Sequence, residues 1–278
     1  MTTTNNIDDK VLDIKEPSIN TKETNTKSVS RTLSILFTFT EECHQQKTSS
    51  IAKKLGMNIS TVSRHLTTLL DQGFVVRDDE TGYYRLGLNI VTMAGIALYD
   101  NDLYRYGQDE LQKLSNEKPH FYHLGIPHGT DIVHIGSSCG NDSSGSPLPI
   151  GHRHPLCSCA MGRAYLSTQT DEVITAIIKN TKFIQFTSKT KLDPEEILKS
   201  IHHARDKGYS YIDEELALYK KSLSVPVFGR NRTAVGAIGV TLDNHDIESS
   251  NKEKRLELLN SLRIASNRVS SKLGFRLR

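Results

Sequence analysis

Residues 48 to 86 read TSSIAKKLGMNISTVSRHLTTLLDQGFVVRDDETGYYRL, and the order of signals in this stretch decides the fold. Thr48 is a good N-cap for a helix carrying Ile51, Ala52 and Leu55 on one face, and Gly56 comes next, where a left-handed residue must stop it. Asn58 is placed to cap a second helix, in which Ile59, Val62, Leu66, Leu69 and Leu70 recur at helical spacing. The opposite face then presents Ser60, Thr61, Ser63, Arg64, Thr67 and Thr68, short donors and acceptors around one guanidinium. Such a face fits the major groove of duplex DNA, where bulkier side chains would hold the helix away from base edges and phosphates. Ala52 is small where the two helices must cross.

A helix-glycine-helix also occurs in ordinary cores, so the segment beyond the second helix carries weight. Gly73 leads into Phe74-Val75-Val76-Arg77, a turn over residues 78 to 82, and Tyr83-Tyr84-Arg85-Leu86, which together predict two short strands and a loop, a wing. Arg77 and Arg85 are expected to flank the minor groove or the phosphates, although the acidic loop tip argues against deep insertion. Between residues 48 and 70 stand Lys53, Lys54 and Arg64 and no acidic residue, so the local field is positive although the whole chain is only +3.

At 278 residues the chain is long for one core, and about two domains are expected. No segment offers the roughly 18 uninterrupted apolar residues of a membrane span, and no apolar signal core opens the chain, so a cytoplasmic protein without membrane contact is expected. Four cysteines, Cys43, Cys139, Cys157 and Cys159, are too few and too clustered for a secreted disulfide framework. Residues 1–26 lack apolar periodicity and are expected to be disordered. From Val29, the pattern Leu33, Leu36, Phe37 predicts a helix packed beneath the helix pair, which completes a winged module over residues 27–88. A linker helix over 89–106 and a second domain over 107–278 come next, with a break in helical register near Asp100-Asn101-Asp102.

The second domain alternates strand and helix patterns. A hairpin is expected from His120 to Ser137 around Pro127-His128-Gly129, then a loop over 138–151, helices at Cys159–Ser167, Asp171–Lys179 and from Asp193, strands at Tyr209–Asp213, Ser222–Phe228 and Val235–Leu242, and a last helix from Asn251 to Leu273. This is an α+β domain with an antiparallel sheet, sized to enclose one small ligand.

The motifs SVSRTLSIL (28–36), IAKKLGMNISTVSRHLTTLLDQGFV (51–75), YYRLG (83–87), PLCSCAMGRAYLS (155–167) and GYSYIDEELALYKKSLSVPVF (208–228), in this order, resemble the IclR-type transcriptional regulators over nearly all of residues 28–273. The resemblance implies a homodimer, able to pair again into a tetramer, that binds a partly palindromic double-stranded operator and a small organic acid. The DNA-contacting positions it implies are Ser60, Thr61, Ser63, Arg64 and Thr67, to which Lys53, Arg77 and Arg85 are added from the local charge. The effector positions it implies are Ser158, Cys159, Ala160, Met161, Ile212, Asp213, Ser222, Gly239, Val240 and Thr241, with the carboxylate at the free amides that open the helix at Ala160 and Met161. Ile212 and Gly239 replace more polar residues of the commoner pattern, which points away from a glyoxylate-sized ligand, and the segments SCAMGR (158–163) and SLSVPV (222–227) resemble the branch of the family that senses aromatic acids. Ser158 and Ser222 equally suit structural hydroxyls bonded to backbone.

Three other readings attach to the same residues. His152, His154, Cys157 and Cys159 are ligand types that suit zinc, at spacings unlike the usual structural fingers, so no metal or cofactor is expected. A cysteine nucleophile with a histidine base would make the chain an enzyme acting on a small acid, but no other residue completes that machinery. A regulator that has lost its ligand is the third. The basic residues of the last helix and tail read as a solvated face.

Overall fold

The computed structural model describes residues 26–140, 147–243 and 251–276, and the chain divides between Asp100 and Asn101 into two units. The disorder expected for residues 1–26 lies outside the described residues, save Thr26, where the first helix opens.

The N-terminal unit holds α1 (Thr26–Leu36), α2 (Thr48–Leu55), α3 (Ile59–Asp71), the hairpin β1 (Val75–Arg77) and β2 (Tyr84–Leu86), and α4 (Leu88–Tyr99). Its core is Ile35, Ile51, Ala52, Val62, Leu66, Leu69, Val75 and Tyr84. Gly56 (φ 62°) ends α2 as expected: Met57 N–H donates to Ala52 O (2.9 Å) and Gly56 N–H to Lys53 O, the two reversed bonds of a left-handed stop. The capping expectations need correction. Lys47, not Thr48, is the N-cap of α2, and neither its side chain nor that of Asn58, which does precede α3, makes a capping bond. The face of α1 also differs. Ile35 is its buried anchor and Leu36 packs in part, whereas Val29, Leu33 and Phe37 (76 % exposed) face outward. Thr32 Oγ1 meets His65 Nδ1 at 2.8 Å and fixes that rotation against α3. Ile59 and Leu70, expected in the core, lie at the two ends of α3 beyond the reach of α1 and α2, and both are exposed.

The C-terminal unit begins with α5 (Asp102–Glu117), capped by Asn101 Oδ1, which accepts from Tyr104 N–H at 3.0 Å. Residues 102–106, expected as linker, are therefore the start of this helix, with Leu103 buried. There follow β3 (Phe121–His128), β4 (Asp131–Cys139), β5 (Arg153–Pro155), α6 (Ala160–Leu166), α7 (Asp171–Asn180), α8 (Pro194–Lys207), β6 (Ser210–Asp213), β7 (Lys220–Phe228), β8 (Ala234–Asp243) and α9 (Lys252–Lys272). All six strands pair antiparallel in the order β5-β4-β3-β8-β7-β6. Strand β3 runs through Pro127-His128, so the hairpin turns at Gly129 (φ 67°) and Thr130 instead of over 127–129. β5 is an edge strand that the sequence does not announce: Arg-His-Pro has no apolar alternation, and its pairing with β4 alone makes it a strand.

Side chains alternate across a sheet, and two sets of contacts say which face is which. Gly107 of α5 leaves room only for Leu124, and Gly136 and Gly236 lie against Gln108, Leu111 and Leu103, so α5 covers the face of Leu124. Gly125 and Gly239 lie against Met161, so α6 covers the other face. Helix α9 packs on α5 and on β7, where Ser266 Oγ donates to Pro226 O at 2.6 Å. The result is a sheet between two helical layers.

Candidate functional site

Two surfaces stand out. On α3, burial of Val62, Leu66 and Leu69 forces the residues between them outward: Ser60, Ser63, Arg64, Thr67 and Thr68 are exposed and Thr61 is half-buried. Thr67 Oγ1 donates to Ser63 O (3.1 Å) and Thr68 Oγ1 to Arg64 O (3.2 Å), which leaves the lone pairs of both hydroxyls for a donor from outside. Among the described residues no carboxylate pairs with Arg64. His65 turns inward to Thr32, and its pKa is lowered by burial, then by Arg31 and Arg64, so it adds no charge to the face.

The other basic residues divide. Lys53 is exposed, while Lys54 Nζ donates to Thr38 O at 3.0 Å and is spent internally. Val76 pairs with Arg85 and Arg77 with Tyr84, so the two wing arginines lie on opposite faces of the hairpin. Tyr84 belongs to the core and Arg77 lies over its ring at 5.8 Å, yet Arg77 and Arg85 are both exposed. Lys47, whose ammonium sits 4.9 Å from the Tyr83 ring, joins this basic surface and was not legible from helix patterning because it precedes α2. The acidic loop is held by its own side chains, since Asp78 Oδ1 accepts from Thr81 N–H (2.8 Å), Thr81 Oγ1 (2.8 Å) and Glu80 N–H (3.1 Å). The bonds from Thr81 are the main reason its carboxyl lies below the usual range.

The second lies between α6 and the sheet, where Ser158, Cys159, Ala160, Met161 and Ile212 are all buried. Cys159 caps α6, its Sγ accepting from Gly162 N–H at 3.2 Å, so Ala160 and Met161 supply first-turn amides ahead of the first helical bond, Arg163 N–H to Cys159 O. Ile212, Ser222 and Thr241 are paired neighbours across β6, β7 and β8, and Ser222 Oγ lies 3.2 Å from Thr241 Oγ1. Two residues along, Ser224, Gly239 and His123 form a second row on the same face, and a Cβ at Gly239 would come within 3.2 Å of Met161 Cγ. The tighter limit at Gly239 lies within the sheet, where the same Cβ would meet Ser224 Oγ at 2.2 Å and Leu223 O at 2.9 Å. Ser158 Oγ is buried beside this helix start without a hydrogen-bond partner among the described residues.

Two expected members fall on the wrong side. Val240 pairs with Leu223 and Tyr122, and Asp213 pairs with Lys221; strand alternation turns both toward the α5 and α9 layer, where Tyr211 OH meets Asp213 Oδ2 at 3.4 Å and Arg255 of α9 covers Tyr211. The grouping of His152, His154, Cys157 and Cys159 does not assemble either. Cys157 Sγ turns to Thr181 Oγ1 (3.7 Å), Cys159 Sγ to Gly162, and the two imidazoles turn to His134. Burial pushes the Cys157 thiol up and that of Cys159 to about 12, so neither is a thiolate at neutral pH.

A buried ion pair holds the helix start in place. Arg163 Nε donates to Cys157 O (2.7 Å), and its two terminal nitrogens grip Glu215 at 2.9 and 2.6 Å. Burial raises the Glu215 pKa, but Arg163 and then Lys191 outweigh it and hold the carboxyl below the usual range. An arginine inside the apolar run AMGRAYL was the available signal for a buried acid, though nothing in the sequence names Glu215.

The family model described as the IclR helix-turn-helix domain matches residues 28–79, and that of the bacterial transcriptional regulator IclR C-terminal domain matches residues 96–271. The chain is 30% identical over 234 residues to the glycerol operon regulatory protein of Streptomyces coelicolor, spanning 81% of this chain and 88% of that one. It is 27% identical over 234 residues to the HTH-type transcriptional regulator XynR of Escherichia coli, spanning 83% and 93%. Among solved structures, an IclR regulator from Alicyclobacillus acidocaldarius superposes with a TM-score of 0.79 at 23% identity over 89% of this chain and 98% of that one. An IclR homolog from Microbacterium hydrocarbonoxydans in complex with 4-hydroxybenzoate gives 0.75 at 16% identity over 88% and 98%.

Proposed function

We propose that this chain, which belongs to the IclR family of bacterial transcriptional regulators, reads a duplex operator with the outer face of α3 and is switched by an organic acid held between α6 and the sheet. The observation that carries the reading is the exposed set Ser60, Ser63, Arg64 and Thr67 directly opposite the buried Val62, Leu66 and Leu69. Thr61 supports the same edge, and Lys53 and Arg85 face the phosphates, which position the module without reading sequence.

The acid's carboxylate meets the amides of Ala160 and Met161, with Ser158 leading in and Ser222 and Thr241 opposite. Ile212 gives the pocket an apolar wall that suits an aromatic ring, in keeping with the hydroxybenzoate-bound relative. A homodimer, able to pair into a tetramer, matches a palindromic site whose half-sites lie about one helical turn, roughly 34–36 Å, apart or a multiple of it. The protonated thiols of Cys157 and Cys159 favour a binding protein over an enzyme with a cysteine nucleophile.

The switch is a linkage: an acid that binds one dimer arrangement better than another shifts operator affinity by about 1 to 3 kcal/mol, roughly 5 to 150-fold. A thermal-shift screen of aromatic and aliphatic carboxylates, followed by operator titration with and without each hit, tests it. An acid that raises the Tm is expected to change operator affinity within that range. Hits that leave operator affinity untouched would sink the effector reading.

A further inference from the structure

The sheet register gathers four histidines that stand far apart in the sequence. His123 on β3 and His134 on β4 face the α6 side, and His154 on β5 pairs opposite Ile132, two residues from His134. His134 N–H donates to His152 O at 2.8 Å, and Gly151 N–H donates back to His134 O at 2.7 Å, which locks His152 beside it. The ring centroids lie 5.3 Å (His123), 5.7 Å (His152) and 5.4 Å (His154) from that of His134, and those of His152 and His154 lie 4.5 Å apart.

Both ring nitrogens of His134, which is 2% exposed, are buried without a hydrogen-bond partner among the described residues, and so is Nδ1 of His123. A buried polar atom left unpaired costs about 1–3 kcal/mol, and three of them in one cluster ask for a ligand. Burial first, and neighbouring histidines second, depress the pKa values of His123 and His154 to about 4 and of His134 to about 2. These rings are neutral at physiological pH, which is the form that offers a lone pair to a metal. The nearest acidic side chain on these strands, Asp131, is occupied by Arg153 at 3.5 Å.

We propose that His123, His134, His152 and His154 form a site for one divalent transition-metal ion of the zinc class. Four imidazoles around zinc, with each nitrogen about 2.0–2.1 Å from the ion in a tetrahedron, place their ring centroids roughly 5 Å apart. The spacings around His134 already match that scale. Among the described residues no three donors converge on one point, so loading turns the rings about their Cβ–Cγ bonds, a broad and soft torsion. An all-imidazole set favours zinc, copper, nickel or cobalt and disfavours magnesium and calcium, which prefer oxygen ligands. His123 pairs with Gly239, so the ion would border the acid pocket and pin edge strand β5, from which the chain runs into α6. The site stands on these four residues whether or not the acid reading holds.

The test uses the untagged full-length chain, stripped with a chelator and titrated with Co²⁺, then Zn²⁺, and separately with Mg²⁺. The expected result is one Co²⁺ per chain with the strong absorption of tetrahedral nitrogen coordination, displaced by Zn²⁺, a raised Tm, and no effect of Mg²⁺. Because His134 is buried, the main variant is the double change His152→Gln and His154→Gln at the half-buried sheet edge, which is expected to weaken Co²⁺ binding on the order of tenfold or more. His203→Gln, at an exposed position of α8, is expected to bind as the parent does. Failure of the parent to bind one Co²⁺ per chain, a weak octahedral spectrum, or undiminished affinity in the double variant would overturn the site.

Discussion

Arg163 is the largest fully buried side chain among the described residues, and it shows how one residue sets the pocket. Its guanidinium satisfies Cys157 O and both oxygens of Glu215, so removing either charge strands the other in a low-dielectric interior. Glu215→Gln is expected to cost about 3–5 kcal/mol in urea unfolding at neutral pH, whereas the double change Arg163→Met with Glu215→Leu is expected to cost far less, because no lone charge remains. The pH dependence has a definite sign. The Glu215 pKa is lower in the folded than in the unfolded chain, so its stabilisation is present above the ordinary glutamate pKa and is lost as pH falls through the lowered one. Chemical denaturation across that acidic range is expected to show a shallower fall for Glu215→Gln than for the parent; parallel curves would contradict the pairing. Legibility from sequence was uneven among single residues. The outer residues of α3 were readable because helical period alone sorts them, but Val240 and Asp213 were misplaced because contiguous strand residues point to opposite faces.

Among the elements, helix α4 is the one whose composition and surroundings disagree. LNIVTMAGIALY is apolar nearly all round and carries no charge, yet none of its residues is buried. A helix of that composition is stable in water only when covered, and Leu88, Val91, Met93 and Ile96 are exposed apolar residues that the proposed homodimer would cover. Val91→Glu combined with Ile96→Glu touches no core contact, so the variant is expected to keep its far-UV circular dichroism while sedimenting as a smaller species than the parent. Identical sedimentation of the two proteins would contradict a homodimer contact through α4. Elements with dense periodicity, α2, α3 and β6 to β8, were readable in advance. Strand β5 was not, because three residues without apolar alternation become a strand only through the register of β4. The same register brings His123 and His134 to His152 and His154, and sequence spacing alone carries no trace of it.

The whole molecule joins a winged unit suited to DNA with a sheet domain suited to a small ligand, and both halves are those of the IclR family. Membership explains the architecture, while the proposed reading assigns the choice of operator and acid to the side chains on α3 and around α6. Sequence recognition by the outer face of α3 is the premise on which the regulatory reading stands. Its sharpest test is Arg64→Ala, measured by fluorescence anisotropy on a duplex selected by the parent protein from a random-sequence pool and on an unrelated duplex at the same salt. Arg64 is exposed and free of core contacts, so the fold is expected to persist while affinity for the selected duplex falls by about 1–3 kcal/mol per half-site and binding to the unrelated duplex changes little. Undiminished preference for the selected duplex in a folded Arg64→Ala protein would refute recognition through α3.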